Sequence, residues 1–423
     1  MTPQRGPRRG VFYGWWIVAA GVASLLFAGG IGYYTFGAFF NPLLDAFGWS
    51  SAQLSAALTI ATLVGLAAPL VGAWVDRYGA RTVMATGALV TGGAFALLGL
   101  ASPDWGPLAL WYFYALYLVM GLGMVCTLNV PVAAVVSHWF SARRGLAMGI
   151  TVSGFGLGGL LMLPLASLLI ALVGWQMTYH LLGLTIVAVL VPVALLVVRD
   201  RPQDLGLLPD GGPPGEGLDT DSVAAGPQWT LGAAMRTGTF WLIVGALGLA
   251  FIGTAALLVH TIPFLQARGL SPQMAAAAMA LTVGLSVPGR VVAGHIVDRV
   301  PIRAVVALSF LLQIVALGLL LAMGPMAMVW AFVVVFGLAM GGMFALEPLL
   351  VSRYFGLSSF GAIYGGLWVF VTIGFAAGAP LAGAIFDATA SYRWAFVLFI
   401  AATAIAAVLI YLVKEPRYRG GQC

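Results

Sequence analysis

One basic side chain, Arg290, lies inside an apolar stretch that is long enough to cross a bilayer, residues 273–297. Placing an arginine in a bilayer costs at least about 2.5 to 3.5 kcal/mol, so we expect it to face a protein cavity and to meet an anion there. A guanidinium group binds a carboxylate through two parallel hydrogen bonds, which favours a carboxylate ligand. The alternative is a structural ion pair with Glu347, which we expect at similar depth in another apolar stretch.

Polar and aromatic side chains recur at helical spacing on two of the apolar stretches. Ser286 precedes Arg290 by four residues, and Tyr364 and Trp368 are separated by the same interval. Residues four apart share one face of a helix, so each pair forms a stripe on an otherwise apolar surface. We predict that Arg290 holds the carboxylate of a small amphipathic ligand while the aromatic rings surround its carbon body. Ordinary helix packing is the alternative for both stripes.

Tyr34 and Asn129 are two further candidates for ligand binding. Tyr34 follows the glycine-rich segment 29–32, where a helix can flex or be approached closely by its neighbours. Asn129 lies two residues before Pro131 and offers both a donor and an acceptor to a hydroxy acid or keto acid. A tyrosine at the membrane interface and an asparagine bonded to a neighbouring helix are the respective alternatives.

Three titratable residues are candidates for carrying a proton: Glu347, His260 and Asp387. Binding of a carboxylate to Arg290 would withdraw the countercharge of Glu347, which would link proton binding to ligand binding. Histidine titrates near neutrality, but His260 is expected one turn from a helix end, where a gate or a simple interfacial position is the alternative. For Asp387 the alternative is an ordinary helix-end charge.

The composition predicts the elements that position these residues. The chain has 423 residues, of which 61% are hydrophobic and 8% are charged, and its mean hydropathy is +1.03. A soluble domain carries about a quarter charged residues, so we predict an all-α integral membrane protein embedded in a lipid bilayer and exclude a β-barrel. Twelve apolar stretches are predicted to span the membrane, at about 12–40, 53–75, 82–101, 108–137, 145–168, 176–198, 239–265, 273–297, 302–322, 326–350, 360–385 and 393–413.

The basic residues fix an orientation in the membrane. Among the 19 Lys and Arg residues, only Arg268 and Arg393 fall on the side opposite to both termini, and Arg290 falls inside a span. The positive-inside rule therefore places both termini in the cytoplasm, in a multi-pass protein of the cell membrane. The polar segment 199–228 is too poor in apolar residues to form a core, so we predict a flexible cytoplasmic linker.

The sequence lacks the residues that several classes of function require. The basic residues lie between the apolar stretches rather than in a polar domain, which argues against nucleic-acid binding. None of the four histidines falls at ligand spacing with another His or Cys, and the sequence has no nucleophile-base constellation or phosphate loop. We therefore predict no metal, no cofactor and no enzyme activity.

An internal repeat relates two predicted halves, 1–198 and 229–423. GAWVDRYGAR at 72–81 matches GHIVDRVPIR at 294–303, and both follow the pattern Gly-x-x-x-Asp-Arg-x-x-x-Arg. Repeated halves of six spans joined by a polar linker are the architecture of a secondary transporter, in which the binding site lies between the halves.

The segment 72–81 resembles the motif that the major facilitator superfamily carries between its second and third spans, and 294–303 resembles a degenerate copy of it. In that superfamily the loop helps to hold one gating state, with its acid braced by arginines at neighbouring helix ends. The resemblance implies that Asp76 and Asp298 are latch acids, by which we mean acids that hold the two halves together at one end. It places the basic residues of the latch at Arg77, Arg81, Arg299, Arg353 and either Arg143 or Arg144.

Further segments resemble the monocarboxylate transporter family within that superfamily. They are YGWWIV at 13–18, GYYTFGAFFNPLLDAFGWS at 32–50, RGLAMGITVSGFGLGG at 144–159 and VPGRVVAG at 287–294. The resemblance implies an alternating-access carrier of small monocarboxylates such as lactate or pyruvate, which works as a monomer and moves its substrate with protons. The chain departs from the animal members at Tyr34, where they carry a proton-coupling Lys, and at Ser286, where they carry an Asp.

Two alternatives stay open. Oxalate/formate antiporters are close neighbours that share several of these features, but they add a lysine in span eleven, and residues 360–385 contain neither Lys nor Arg. A single cavity arginine favours a monoanion over a dicarboxylate. A non-transporting membrane receptor is the alternative from a different class, and a measurement of net flux would separate it from a carrier.

Overall fold

The computed structural model describes residues 11–211, 228–322 and 326–417, and all regular secondary structure within them is helical. The two chain ends, predicted to be cytoplasmic, and residues 212–227 of the predicted linker lie outside the described residues. The membrane-spanning segments, numbered in chain order, are span 1 at Gly14–Phe47, span 2 at Ser51–Tyr78, span 3 at Ala80–Leu98, span 4 at Pro107–Trp139, spans 5 and 6 within Arg144–Val197, span 7 at Gly238–Ala267, span 8 at Pro272–Val297, span 9 at Ile302–Leu321, span 10 at Met326–Phe355, span 11 at Phe360–Thr389 and span 12 at Arg393–Leu412.

Spans 5 and 6 form one continuous stretch, so the described residues contain 11 separate helical segments long and apolar enough to cross a membrane. As a single helix the 54 residues of Arg144–Val197 would measure about 80 Å, against a bilayer core of about 30 Å. The backbone breaks at Gly174, where φ is 79° and ψ is 166°, a conformation that glycine adopts without strain. The stretch therefore holds two of the twelve predicted spans.

Spans 1 and 4 are discontinuous helices. The middle of span 1, Leu25–Tyr34, is a π-helix, and it contains glycines that let a neighbouring span approach closely. Span 4 consists of two helices, Pro107–Thr127 and Asn129–Trp139, which meet at Leu128. Pro131 lies just after this junction and has no N–H to offer the carbonyl of the preceding turn. Both irregular regions lie in the spans that carry Tyr34 and Asn129.

Buried aromatic side chains lie within both groups of spans, which are spans 1–6 and spans 7–12. Phe39 of span 1 stacks on Tyr179 of span 6 with 3.9 Å between ring centroids, and Phe332 stacks on Phe336 within span 10 at 5.4 Å. Short helical turns connect the spans at Pro103–Trp105, Pro202–Leu205, Pro209–Gly211 and Leu231–Met235.

The two groups of spans contact each other mainly through span 5 with span 8 and span 2 with span 11. The contacts are tightest at the end of the bundle that carries Arg77 and Arg299, which we call the basic end. A Cβ atom on Gly72 would collide with the carbonyl of Gly361, and one on Gly145 would collide with that of Gly294. Only glycine permits such backbone approach, so the sequence itself allows the basic end to close.

Span 11 shows that this closure does not extend along the whole bundle. Its residues 360–367 are almost all buried, whereas most residues from 376 to 390 are exposed. Halfway along, a Cβ atom on Gly65 of span 2 would lie 3.8 Å from the Thr372 hydroxyl, which is ordinary van der Waals contact. The two groups therefore meet tightly at the basic end and more loosely toward the opposite end.

The first part of the predicted linker packs against the basic end and does not behave as a free tether. Asp200 Oδ1 accepts a hydrogen bond from the N–H of Arg81 at 3.0 Å. Asp210 Oδ2 accepts from the N–H groups of Ser141 and Ala142 at 2.8 and 2.7 Å. These carboxylates satisfy N–H groups at or just before the starts of spans 3 and 5. The boundaries 1–198, 199–228 and 229–423 stay a prediction.

Candidate functional site

Arg290 lies in the second half of span 8 and is 2% exposed. Among the described residues, its Nε and Nη1 atoms have no hydrogen-bond partner. Its Cζ atom lies 5.6 Å from the ring centroid of Phe344 in span 10, so the aromatic face stabilises the cation. Buried guanidinium donors without partners are costly, which makes this group the strongest candidate for binding an anion.

A glycine face of span 5 positions Arg290 next to Tyr34. A Cβ atom on Gly156 would lie 2.6 Å from Arg290 Nη1, and a Cβ atom on Gly159 would lie 2.9 Å from the Tyr34 ring. These glycines are about one turn apart on the same helix. Span 5 therefore brings a residue of span 1 and a residue of span 8 to one place between the two groups of spans. Sequence reasoning missed Gly156, although it lies within the quoted segment 144–159.

Glu347 is buried, at 2% exposed, but it is not paired with Arg290. Its Oε1 atom accepts a hydrogen bond from the Tyr364 hydroxyl at 3.4 Å, and its Oε2 atom has no partner among the described residues. The expectation of similar depth is wrong: a Cβ atom on Gly341 would lie 2.8 Å from the backbone N of Arg290. Glu347 follows Gly341 by six residues, about 9 Å along the helix toward the basic end.

The remaining predicted ligand-binding residues do not all meet Arg290. The Ser286 hydroxyl donates to the carbonyl of Val283 in its own helix at 2.6 Å. Trp368 lies beside Tyr364, with 6.3 Å between ring centroids, and so belongs with Glu347. Asn129 is half-buried at the start of the second helix of span 4. The structure thus contains an Arg290–Tyr34 group and a separate Glu347–Tyr364–Trp368 group.

The other two proton-carrier candidates lie away from both groups. His260 Nε2 donates to the carbonyl of Ala379 at 2.9 Å, and the Tyr392 hydroxyl lies 3.1 Å from its Nδ1 atom. Both ring nitrogens are thus engaged in joining span 7 to span 11 and to the start of span 12, which suits a structural contact. Asp387 is exposed near the end of span 11.

The two latch acids bind helix N-termini of the opposite group of spans. Asp76 accepts hydrogen bonds from the N–H groups of Gly361 and Ala362, each at 2.9 Å. Asp298 accepts from the N–H groups of Gly145 and Leu146 at 2.7 and 3.0 Å. The two contacts are equivalent under the internal repeat. A carboxylate at a helix N-terminus satisfies otherwise unpaired N–H groups and the positive end of the helix dipole.

Among the described residues, backbone N–H groups and not arginine side chains donate the hydrogen bonds to the two latch acids, and Arg144 lies within electrostatic range of Asp298. Arg144 Nε donates to the carbonyls of Ser137 and Phe140. Arg299, which follows the end of span 8, contacts His295 in the last turn of that span. Arg77 lies over the ring of Tyr78, and the backbone N–H of Arg81 binds Asp200. Arg353 lines a separate cavity.

These features define a helical membrane transporter: two groups of spans, closed at one end, with unpaired buried polar groups between them. The model of the Major Facilitator Superfamily matches residues 22–368 and 292–422, and the chain belongs to this superfamily. Among solved structures, the superfamily transporter FucP in its outward conformation superposes with a TM-score of 0.72, at 14% identity, covering 94% of this chain and 98% of that chain. This likeness shows the fold.

Named relatives share most of the length of the chain at modest identity. The oxalate:formate antiporter of Oxalobacter formigenes is 27% identical over 381 residues, covering 87% of this chain and 84% of the relative. Monocarboxylate transporter 13 of Bos taurus is 28% identical over 394 residues, covering 91% and 86%. The fold and these relatives indicate a multi-pass membrane transporter rather than an enzyme.

Proposed function

We propose that this chain is an alternating-access carrier of small monocarboxylates such as lactate or pyruvate, moving them together with a proton. One observation carries the proposal: a buried arginine whose Nε and Nη1 atoms lack partners among the described residues, at the junction of the two groups of spans. A carboxylate would satisfy two guanidinium donors at once.

The carbon body of the substrate would lie against aromatic side chains. Tyr34 borders Arg290 on the glycine face of span 5, whereas Tyr364 and Trp368 of span 11 belong to the same half as Arg290 and would line the substrate cavity toward the basic end. Asn129 would offer hydrogen bonds to a hydroxyl or keto group. One cation suits one carboxylate, and span 11 contains no lysine or arginine.

Oxalate/formate exchange is the second candidate function, and the Oxalobacter formigenes relative favours it. A dicarboxylate would require a second cation near Arg290, which neither Tyr34 nor Phe344 supplies. Uptake of external oxalate into vesicles preloaded with formate separates the two candidates directly. Internal formate would accelerate oxalate uptake by an antiporter but not by a proton-coupled monocarboxylate carrier.

Glu347 is the proposed proton carrier. An ionised carboxylate that is buried without a cation is costly, and the Tyr364 hydroxyl is its only hydrogen-bond partner among the described residues. Because Glu347 and Arg290 are not paired in this state, the coupling would act through the movement of the two halves, which would change the access of water to Glu347, rather than through exchange of one countercharge. His260 and Asp387 are weaker candidates on these contacts.

We infer that the basic end faces the cytoplasm of the cell, which follows the positive-inside rule. The structure would then represent a state closed to the cytoplasm, held by Asp76 and Asp298, with the substrate site reached from outside. A single chain contains both latches and both polar groups, so the carrier would work as a monomer.

The test is uptake of labelled L-lactate into proteoliposomes under an imposed inward proton gradient, with the voltage clamped. Wild type should accumulate lactate, Arg290→Gln should not, and Arg393→Gln should transport normally because it makes the same charge change at the exposed first residue of span 12. Lactate binding without net flux would favour a receptor, and lactate uptake that ignores the gradient would remove the proton from the proposal. No uptake of any monocarboxylate by wild type would contradict the proposed substrate class.

A further inference from the structure

A polar cavity lies at the basic end, away from the proposed substrate site. It has a volume of about 280 Å³ and is lined by the start of span 9, the end of span 10 and the residues that follow span 12. Its charged side chains are those of Arg303, Arg353, Lys414 and Glu415. The lining therefore carries three cations and one carboxylate, and it takes no part in the hydrogen bonds of the two latch acids.

Further hydrogen-bond donors lie at the same cavity. Tyr354 lines it and is 9% exposed, and the described residues provide no hydrogen-bond partner for its hydroxyl. Arg303 Nη1 donates to the carbonyl of Val413 at 2.9 Å, which fixes this guanidinium group beside the cavity. Span 9 begins at Ile302 in the cavity wall, and the leading N–H groups of a helix have no partner within it.

The internal repeat provides a comparison within the molecule. Arg81 and Arg303 occupy equivalent positions at the starts of spans 3 and 9. In the first half, the Asp200 carboxylate binds the N–H of Arg81 at 3.0 Å, and the cavity that remains measures about 180 Å³. In the second half, Glu415 lies in the cavity wall but accepts no hydrogen bond from the described residues of span 9. A carboxylate of the chain thus occupies the helix start in one half only.

We propose that the larger cavity binds a phosphate-type anion. A tetrahedral phosphate accepts hydrogen bonds from several directions, which matches two arginines, a lysine, a tyrosine hydroxyl and helix N–H groups better than a planar carboxylate does. The cavity lies where span 12 leaves the bilayer, since Tyr411 and Leu412 in its last turn are 76% and 52% exposed and exposed tyrosines are typical of headgroup level. Free phosphate and the headgroup of an anionic lipid share this chemistry.

The test measures the thermal unfolding midpoint of the purified full-length protein. Inorganic phosphate is titrated against chloride at matched ionic strength, and nanodiscs of phosphatidylglycerol are compared with nanodiscs of phosphatidylcholine. We expect at least one anion to raise the midpoint by about 3 °C, and this increase should be lost in Arg353→Gln and in Lys414→Gln. Arg236→Gln makes the same charge change at the basic end outside the cavity and should retain it.

The pattern of responses distinguishes the sources. An increase with inorganic phosphate supports a site for the free ion, whereas an increase with phosphatidylglycerol alone supports a lipid headgroup site. Glu415→Gln removes the competing carboxylate and should lower the anion concentration needed by several-fold. The proposal is overturned if neither anion raises the midpoint or if Lys414→Gln responds like wild type. It is also overturned if Glu415→Gln is less stable and no more responsive, because Glu415 would then fill the site itself.

Discussion

Substitution of Gly156 by alanine tests whether span 5 positions the arginine. The added Cβ atom would lie 2.6 Å from Arg290 Nη1 and 2.9 Å from Val287 Cγ2, whereas ordinary contact begins near 3.4 Å. The guanidinium group, at the end of a flexible side chain, would therefore move by about 0.8 Å. Charge-assisted hydrogen bonds contribute about 1.5 to 3 kcal/mol each, so misaligning one of two should raise the half-saturation concentration for lactate roughly 10- to 100-fold.

The assay is initial-rate uptake into proteoliposomes across a range of lactate concentrations. We expect the maximal rate to change little, because the added methyl group meets side chains and not the backbone of span 8. Gly284→Ala is the matched control, since a Cβ atom there meets nothing within 4 Å. If Gly156→Ala has the half-saturation concentration of wild type while Arg290→Gln is inactive, the inferred contact does not position the guanidinium group.

Two further substitutions test the latch and the proton carrier. In Asp76→Asn one amide oxygen replaces the two carboxylate oxygens that bind Gly361 and Ala362, which should weaken closure by about 1 kcal/mol and slow transport several-fold at normal expression; an unchanged rate would remove the latch role. Glu347→Gln keeps the shape and the Tyr364 contact but cannot ionise, so uptake should lose its dependence on pH. Retention of the wild-type pH profile would exclude Glu347 as the carrier.

The sequence predicted the fold well because hydropathy and spacing act along one helix at a time. The twelve apolar stretches and the repeat at 72–81 and 294–303 can be read directly from the sequence. Within a bilayer, an apolar stretch forms a helix because a helix satisfies its backbone hydrogen bonds internally. The continuous stretch Arg144–Val197 differs from the prediction only in how spans 5 and 6 are connected, because the chain turns at Gly174 without a loop. The docking of Asp200 was missed because composition does not show where a polar segment packs.

The site was predicted less completely because sequence does not show the register between helices. Arg290 stood out from burial cost alone, but the depth of Glu347 depends on how glycines of spans 8 and 10 interlock, and Gly341 lies where Glu347 was expected. The partners of Asp76 and Asp298 were missed for a similar reason. Backbone N–H groups cannot be recognised from residue types. The N–H groups at the starts of spans 5 and 11 could nevertheless have been considered as donors to the two carboxylates.

The nature of the latch contacts bears on how such a carrier can alternate. A carboxylate that binds a helix N-terminus contributes about 0.5 to 2 kcal/mol. Asp76 and Asp298 together would then favour the closed basic end by about 1 to 4 kcal/mol, roughly a 5- to 1,000-fold population ratio. A bias of that size holds one state without preventing the other, and occupancy near Arg290 could shift the balance.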